Sequence, residues 1–380
     1  MAVPEVKEYS HAEWSALMPA QVAAPLPWST TTLCVHQAGY MGTRGGVIVV
    51  QLRDGTEAKT LCVKPFDKRL VNMDHELLAA DILRAAGLRV PAARVATQAE
   101  IDDEIAPNLV SKFECTSGSW SMPDFLTNAG LYWSRVDLRQ KAGIPDGVVA
   151  EQEAAFKTRR AERRAAIDAG TARAEPVAVL EFVRGPTLLQ SGGVTALGEG
   201  EFETLGRMAA VDVLLNNVDR LPVLFDTEGN LGNVLLEPAS GGGGDSGDGG
   251  GGGGVTCCAI DSCVNPLEGP ALERHVARLR AEAHAPDLTA AAAAFKALGG
   301  ADLLAPQLDA IRRGWRHGLE KITELARGGE LKAALDARAD AAVAAGGARE
   351  ELAKATTYVL AVAQATVDLM GAAPPESASE

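Results

Sequence analysis

The stretch that most constrains this chain is GGGGDSGDGGGGGG, residues 241–254. Glycine offers no side chain to bury and loses the most backbone freedom on ordering, so the tract cannot enter a core. Two short β-type runs flank it, VLLE (234–237) before and VTCCAID (255–261) after. Two strands around a spacer that cannot pack predict a hairpin with an expanded turn. Such a hairpin would bring Asn233, just before the first run, close to Asp261, just after the second.

The rest of the chain reads as more β structure first and more helix afterwards. Residues 28–64 hold two apolar runs around glycines, then Asp54-Gly55, a hairpin signal, then a third run. MDHELLAADILRAAGL (73–88) follows, with Leu77, Leu78, Ile82 and Leu83 at helical spacing. Asp74 is its expected cap and Gly87 its expected stop. RVPAARVAT and NLVSKFEC resemble short strands, and VAVLEFV (177–183) a buried one, broken by Arg184-Gly185-Pro186. The helix EFETLGRMAAVDVLLNN comes next, then the polar, irregular VDRLPVLFDTEGNLGN, then the hairpin. From Pro266 onward Ala-rich helical patterns dominate. This order predicts an α+β chain with a β-rich N-terminal lobe, 28–185, and a mainly helical C-terminal lobe, 186–380. Residues 1–27 form an N-terminal extension. Residues 115–175 are polar and partly helical and read as an insertion. The expected ligand position is the crevice between lobes.

Composition removes several functions. The 380 residues are 47% apolar and 23% charged, enough for a sizeable core. A net charge of −14 argues against a nucleic-acid partner and against stable association with an anionic membrane. No secretory-type leader and no apolar run of membrane-spanning length is legible. The closest stretch, 356–373, contains Gln364 and Asp368. Six scattered cysteines lack zinc-knuckle spacing and suit reduced, buried thiols in a cytoplasmic protein. The six histidines show no metal-ligand spacing either.

Several residues suit phosphate chemistry. Gly39-Tyr40-Met41-Gly42-Thr43-Arg44-Gly45-Gly46 joins two expected strands, and glycines let backbone amides approach a phosphate. A plain hairpin turn would look the same. Lys64 ends a strand in LCVKPF, and Glu76 lies twelve residues on, upon a helix. A lysine held by a helix glutamate is a phosphate-positioning pair, although both can equally be solvated surface charges. Asp219 follows the apolar helix, where a carboxylate can accept a hydroxyl proton or merely end the helix. An amide oxygen from Asn233 and a carboxylate from Asp261 at one hairpin base suit Mg²⁺, and ordinary turn chemistry is the alternative. Asn230 is the rival of Asn233, which directly abuts the strand.

MAAVDVLLNNVDRLPVLFDTEGNLGNVLL followed by AIDS resembles the catalytic region of the actin-fragmin kinase family. The likeness covers 28–114 and 176–290, and rests most on Asn217-x-Asp219-Arg220-x-Pro222 and Gly229-Asn230-x-Gly232-Asn233. It implies a two-lobed, protein-kinase-like fold using ATP and Mg²⁺. Asp219 would be the catalytic base, and Asn233 and Asp261 the metal ligands. Lys64 would hold the phosphates and Glu76 would hold Lys64. Gly42, Gly45 and Gly46 would cover the triphosphate, and backbone groups of Glu181, Phe182 and Val183 would meet the adenine. The implied activity is that of a protein serine/threonine kinase, with actin or an actin-bound complex as substrate. A lipid or small-molecule kinase and an inactive nucleotide-binding scaffold are the alternatives. The chain departs from conventional kinases in five ways. The catalytic-loop histidine is absent. Asp219 precedes Arg220. Ser262-Cys263 follows Asp261, and no Ala-Pro-Glu follows that. The fourteen residues from Asp219 to Asn233 exceed the usual interval, so 221–232 must loop out. Eight Lys/Arg against five acids between 135 and 164 could dock an acidic partner, or form a solvated insertion helix.

Overall fold

The computed structural model describes residues 32–38, 47–54, 57–65, 73–105, 177–191, 197–223, 229–238, 255–299, 302–344 and 349–371, with isolated positions outside these spans. The chain is α+β, with antiparallel sheets and a larger helical part. It divides into two compact units. The first comprises Met1–Met73, Ala92–Phe182 and Ala342–Gly347, and the second Asp74–Pro91, Val183–Ala341 and Ala348–Glu380.

The first unit is built on a five-stranded antiparallel sheet. Its strands are β1 (Thr32–Ala38), β2 (Val47–Asp54), β3 (Glu57–Pro65), β4 (Ala93–Val95) and β5 (Val177–Glu181), in spatial order β1-β2-β3-β5-β4. The Asp54-Gly55 signal becomes the β2–β3 hairpin, with Asp54 opposite Glu57. Alternation does the rest. Val50 and Leu52, Leu61 and Val63, and Val177 and Val179 are buried on one face, in one cluster with Ile101 and Ile105. Val22 and Leu26, from the expected N-terminal extension, belong to the same cluster. The strand expected at NLVSKFEC, most of the 115–175 insertion, and Gly42, Gly45 and Gly46 lie outside the described residues.

The second unit is mainly helical. Helix α1 (Met73–Ala85) belongs to it. Asp74, the expected cap, lies inside its first turn, and Gly87 ends it at φ +73°, with the Gly87 and Leu88 amides donating to Arg84 and Leu83 carbonyls. Arg338 on α6 (Glu330–Ala344) donates to Asp81 of α1 at 2.5 and 2.8 Å. Helix α2 (Glu199–Leu215) packs along α5 (Ala305–Gly328). Their approach is so close that a Cβ at Gly314 would lie 1.8 Å from the Glu203 carbonyl oxygen, and one at Gly206 2.1 Å from that of Ile311. Around this pair stand α3 (Gly269–Glu282), α4 (Thr289–Gly299) and α7 (Arg349–Gly371). Helix α7 covers most of 356–373, the stretch nearest in the sequence to an apolar run of membrane-spanning length. Trp315 is fully buried and donates through its indole to the Ala283 carbonyl at 2.9 Å. Among the described residues no helix is long and apolar enough to cross a membrane.

The glycine-flanked hairpin is present. β6 (Val234–Pro238) pairs antiparallel with β7 (Val255–Ala259), Val234 opposite Ala259 and Pro238 opposite Val255. Neighbouring backbone extends it on both sides. Leu188 N donates to Val234 O and Leu236 N to Pro186 O, while Ala259 N donates to Arg89 O. Gly185 makes the first of these approaches possible. A Cβ there would lie 2.1 Å from the Leu236 carbonyl oxygen.

Candidate functional site

Helix α2 ends at Asn216, whose left-handed φ of 51° turns the chain sharply. Asn216 and Asn265 exchange side-chain-to-carbonyl hydrogen bonds at 2.9 and 3.0 Å, fixing the exit. The chain then runs through Asn217, Val218, Asp219 and Arg220. The long interval to Asn233 closes on itself: Asn230 N donates to Arg220 O at 2.9 Å, and Thr227 Oγ1 to Val218 O at 3.1 Å. Gly229, at φ +66°, lies against the Arg220 carbonyl, where a Cβ would come within 2.6 Å. The chain thus leaves Arg220 and is back against it at Asn230, within the 221–232 stretch expected to loop out.

That return brings two predicted site residues together. Asn233 Nδ2 donates to the Asp219 carboxylate Oδ2 at 3.1 Å and to its carbonyl at 2.7 Å. Asn233 is buried, whereas Asp219 is exposed to solvent. Donation through Nδ2 leaves Asn233 with its amide oxygen as the acceptor end. Asn230 spends its own amide oxygen locally, accepting from Gly232 N at 3.0 Å as the cap of the 3₁₀ turn Leu231–Asn233. Of the two asparagines, Asn233 is therefore the better metal-ligand candidate. Ile260 N donates to Asn233 O at 3.0 Å, so Asp261 begins one residue beyond that backbone pair. Asp261 is exposed and adopts φ 50°, left-handed backbone uncommon outside glycine.

Beneath these residues lies a group that sequence reasoning left without a role. Arg220 is fully buried. Its Nη1 meets Asp212 Oδ1 at 2.5 Å, its Nε donates to Asn233 O at 3.4 Å, and its Nη2 donates to Ile260 O at 3.1 Å and to Ser262 Oγ. Asp212, on α2, is equally buried and also accepts from Asn217 Nδ2 at 2.9 Å. Its second oxygen, Oδ2, is buried and has no hydrogen-bond partner among the described residues. Burial pushes the Asp212 carboxyl above the ordinary aspartate range, while the Arg220 charge and the Asn217 bond pull against that. The sequence did hold a signal for this pair. A lone aspartate among apolar residues at helical spacing, in AAVDVLL, needs a buried partner.

The remaining predicted residues lie elsewhere in their own units. Lys64 is half-buried on β3, opposite Ala178. Glu76 is half-buried in the first turn of α1. Lys64 belongs to the first unit and Glu76 to the second. Glu181 is buried. Its backbone N–H donates to Ala92 O and its carboxylate accepts from Ala92 N, both at 2.8 Å, so that N–H is already committed. Phe182 is half-buried and Val183 buried, and the chain passes between units at their junction. Cys62, Cys257, Cys258 and Cys263 form no disulfide, and Cys257 and Cys258 are buried while Cys62 and Cys263 are half-buried. Burial pushes Cys62 and Cys257 up to about 12, leaving them protonated and unreactive near neutral pH. Among the described residues no three His, Cys, Asp or Glu side chains gather into a metal cluster.

No protein-family model matches the chain, and no curated protein matches it.

Proposed function

We propose that this protein is an ATP-dependent phosphotransferase, a serine/threonine protein kinase of the actin-fragmin kinase type, with Asp219 as its base. The observation that carries the reading is the Asp219–Asn233 hydrogen bond, formed across fourteen residues by a loop that closes on itself. A base must be reachable and held, and Asp219 is exposed with one carboxylate oxygen tied to a buried amide. Its other oxygen can accept the proton of a substrate hydroxyl. As the hydroxyl oxygen bonds to the γ-phosphorus, the bond to the ADP oxygen breaks and the proton passes to Asp219.

The donors fit Mg²⁺. The Asn233 amide and the Asp261 carboxylate are hard oxygen ligands, and this ion commonly takes the rest of its shell from phosphates and waters. Bound there, it would offset charge on the phosphate oxygens. The resemblance assigns phosphate contacts to Lys64, with Glu76 as its support, and adenine contacts to backbone at Glu181, Phe182 and Val183. These roles rest on sequence order, as does actin or an actin-bound complex as substrate.

The test is incubation of the full chain with γ-labelled ATP and Mg²⁺ against a protein extract. Labelled protein is expected, and Asp219→Asn should reduce it about 100-fold or more with ATP binding nearly unchanged. Equal labelling by the variant would remove Asp219 from the role of base. ATP consumption without labelled protein would point to a small-molecule acceptor, and binding without turnover to a scaffold.

A further inference from the structure

We infer that Arg220 is the positioning residue of this site, setting Asp219, Asn233 and Asp261 from a single buried guanidinium. The inference rests on the phosphotransferase reading for what those residues do. The geometry that motivates it stands on its own. A buried Arg–Asp pair that only stapled the unit together could use any acceptors. The acceptors of Arg220 are instead adjacent to the site residues. Its own backbone nitrogen follows Asp219. Nε binds the carbonyl of Asn233 itself. Nη2 binds Ile260 O and Ser262 Oγ, the two residues flanking Asp261. Between those two grips Asp261 holds its left-handed φ of 50°, a conformation that persists in a non-glycine residue when its surroundings impose it. On the far side, Nη1 is locked to Asp212 of α2, so the fork cannot rotate to follow a shifting loop. A planar, five-donor guanidinium can serve these directions together, whereas an ammonium on a flexible stem cannot.

Arg220→Lys keeps the charge opposite Asp212 and removes the fork, and Ser262→Ala removes one grip without touching the charge. Both are made in the full chain and assayed for turnover of labelled ATP against Mg²⁺ concentration, with amide hydrogen exchange alongside. For Arg220→Lys the expected result is a fall in kcat of about 100-fold with KM for ATP nearly constant, since ångström-scale misplacement of catalytic groups costs that much. The Mg²⁺ concentration giving half-maximal rate should rise several-fold in both variants, less in Ser262→Ala, by loss of pre-organisation. Exchange should quicken at Ile260, with Leu236 and Leu188 as controls that stay protected. An active parent whose variants show unchanged kcat and Mg²⁺ dependence would overturn the inference and leave Asp219 as base. A parent that neither binds nor turns over MgATP would instead sink the phosphotransferase reading. Exchange then decides the rest: quickening confined to Ile260 keeps Arg220 as the residue that holds Asp261, and unchanged exchange removes it. If Arg220→Lys does not fold, Ser262→Ala alone separates the same outcomes, by its Mg²⁺ dependence and by exchange at Ile260.

Discussion

The two antiparallel sheets both bury apolar residues, and they differ in what is added to that burial. In the five-stranded sheet, Val50, Leu52, Leu61, Val63, Val177 and Val179 of strands β2, β3 and β5 share one apolar cluster. The β6–β7 hairpin has two strands of five residues each, and a lone hairpin of that size is marginal in water. Its own Val234, Leu236, Cys257, Cys258 and Ala259 are buried apolar residues, and polar anchors are added to them. Arg89 binds the buried Glu237 carboxylate through both Nε and Nη2, at 2.9 and 3.2 Å, and Arg220 ties down its open base. Apolar contact is non-directional, so it fixes a sheet's face but tolerates small slides. Hydrogen bonds to charged groups are directional and stronger, and they fix where a particular atom sits. The candidate chemistry lies at the hairpin base, where atomic position matters.

The sharpest break in this comparison is Asp212→Ala. It leaves the Arg220 charge fully buried without its counter-ion, a change that costs about 3–5 kcal/mol. Leu61→Ala is the matching lesion in the five-stranded sheet, where truncating a buried leucine costs about 2–5 kcal/mol according to how far the site collapses. Denaturant unfolding gives the totals, and amide exchange at Val63 and Leu236 gives the location. Leu61→Ala should lower protection at Val63 first, and Asp212→Ala at Leu236. If each variant loosens both sheets alike, the two are not separately held. A smaller loss, about 1–3 kcal/mol from overpacking, is expected for Gly185→Ala, whose Cβ would strike the Leu236 carbonyl. The lost protection should centre on Leu188 and Leu236, because the 186–188 segment must move off β6.

The same contrast explains how much could be read from the sequence. Apolar runs in 47–65 and 177–183 marked three strands of the five-stranded sheet, and Asp54-Gly55 marked the β2–β3 hairpin. The glycine tract announced the hairpin, and through it the nearness of the Asn233 and Asp261 ends, because an unpackable spacer permits little else. Gly87 marked a helix end correctly. Asp74 did not mark the start, since an aspartate in the first turn also favours the helix dipole without capping it. Polar anchoring was far less legible. Arg89 and Glu237 are 148 residues apart and Arg220 and Ser262 are 42 apart, and no local pattern links such partners. Gly185 looked like a strand breaker, and its real constraint is the β6 backbone pressed against it.

The mildest effect should come from acid. His275 on α3 lies between α2 and α7, its Nε2 2.9 Å from Val213 O and 3.2 Å from the Tyr358 hydroxyl. Because Nε2–H donates to that carbonyl, the Tyr358 hydroxyl is left to donate to Val213 O as well, at 3.4 Å. Burial holds the His275 pKa below its ordinary value, with the nearby Arg278 charge adding to the effect and the Val213 bond opposing it. The unfolded chain therefore takes up its proton first as pH falls. In that window the unfolded state binds more protons than the folded state, so stability rises with pH and drops as acid carries the solution below the ordinary histidine value. Thermal unfolding between pH 7.5 and 5.5 should show Tm falling with pH. His275→Gln, which can keep a donor near Val213 without titrating, should flatten part of that fall. An identical slope in the variant would show that burial at this helix junction does not disfavour the imidazolium.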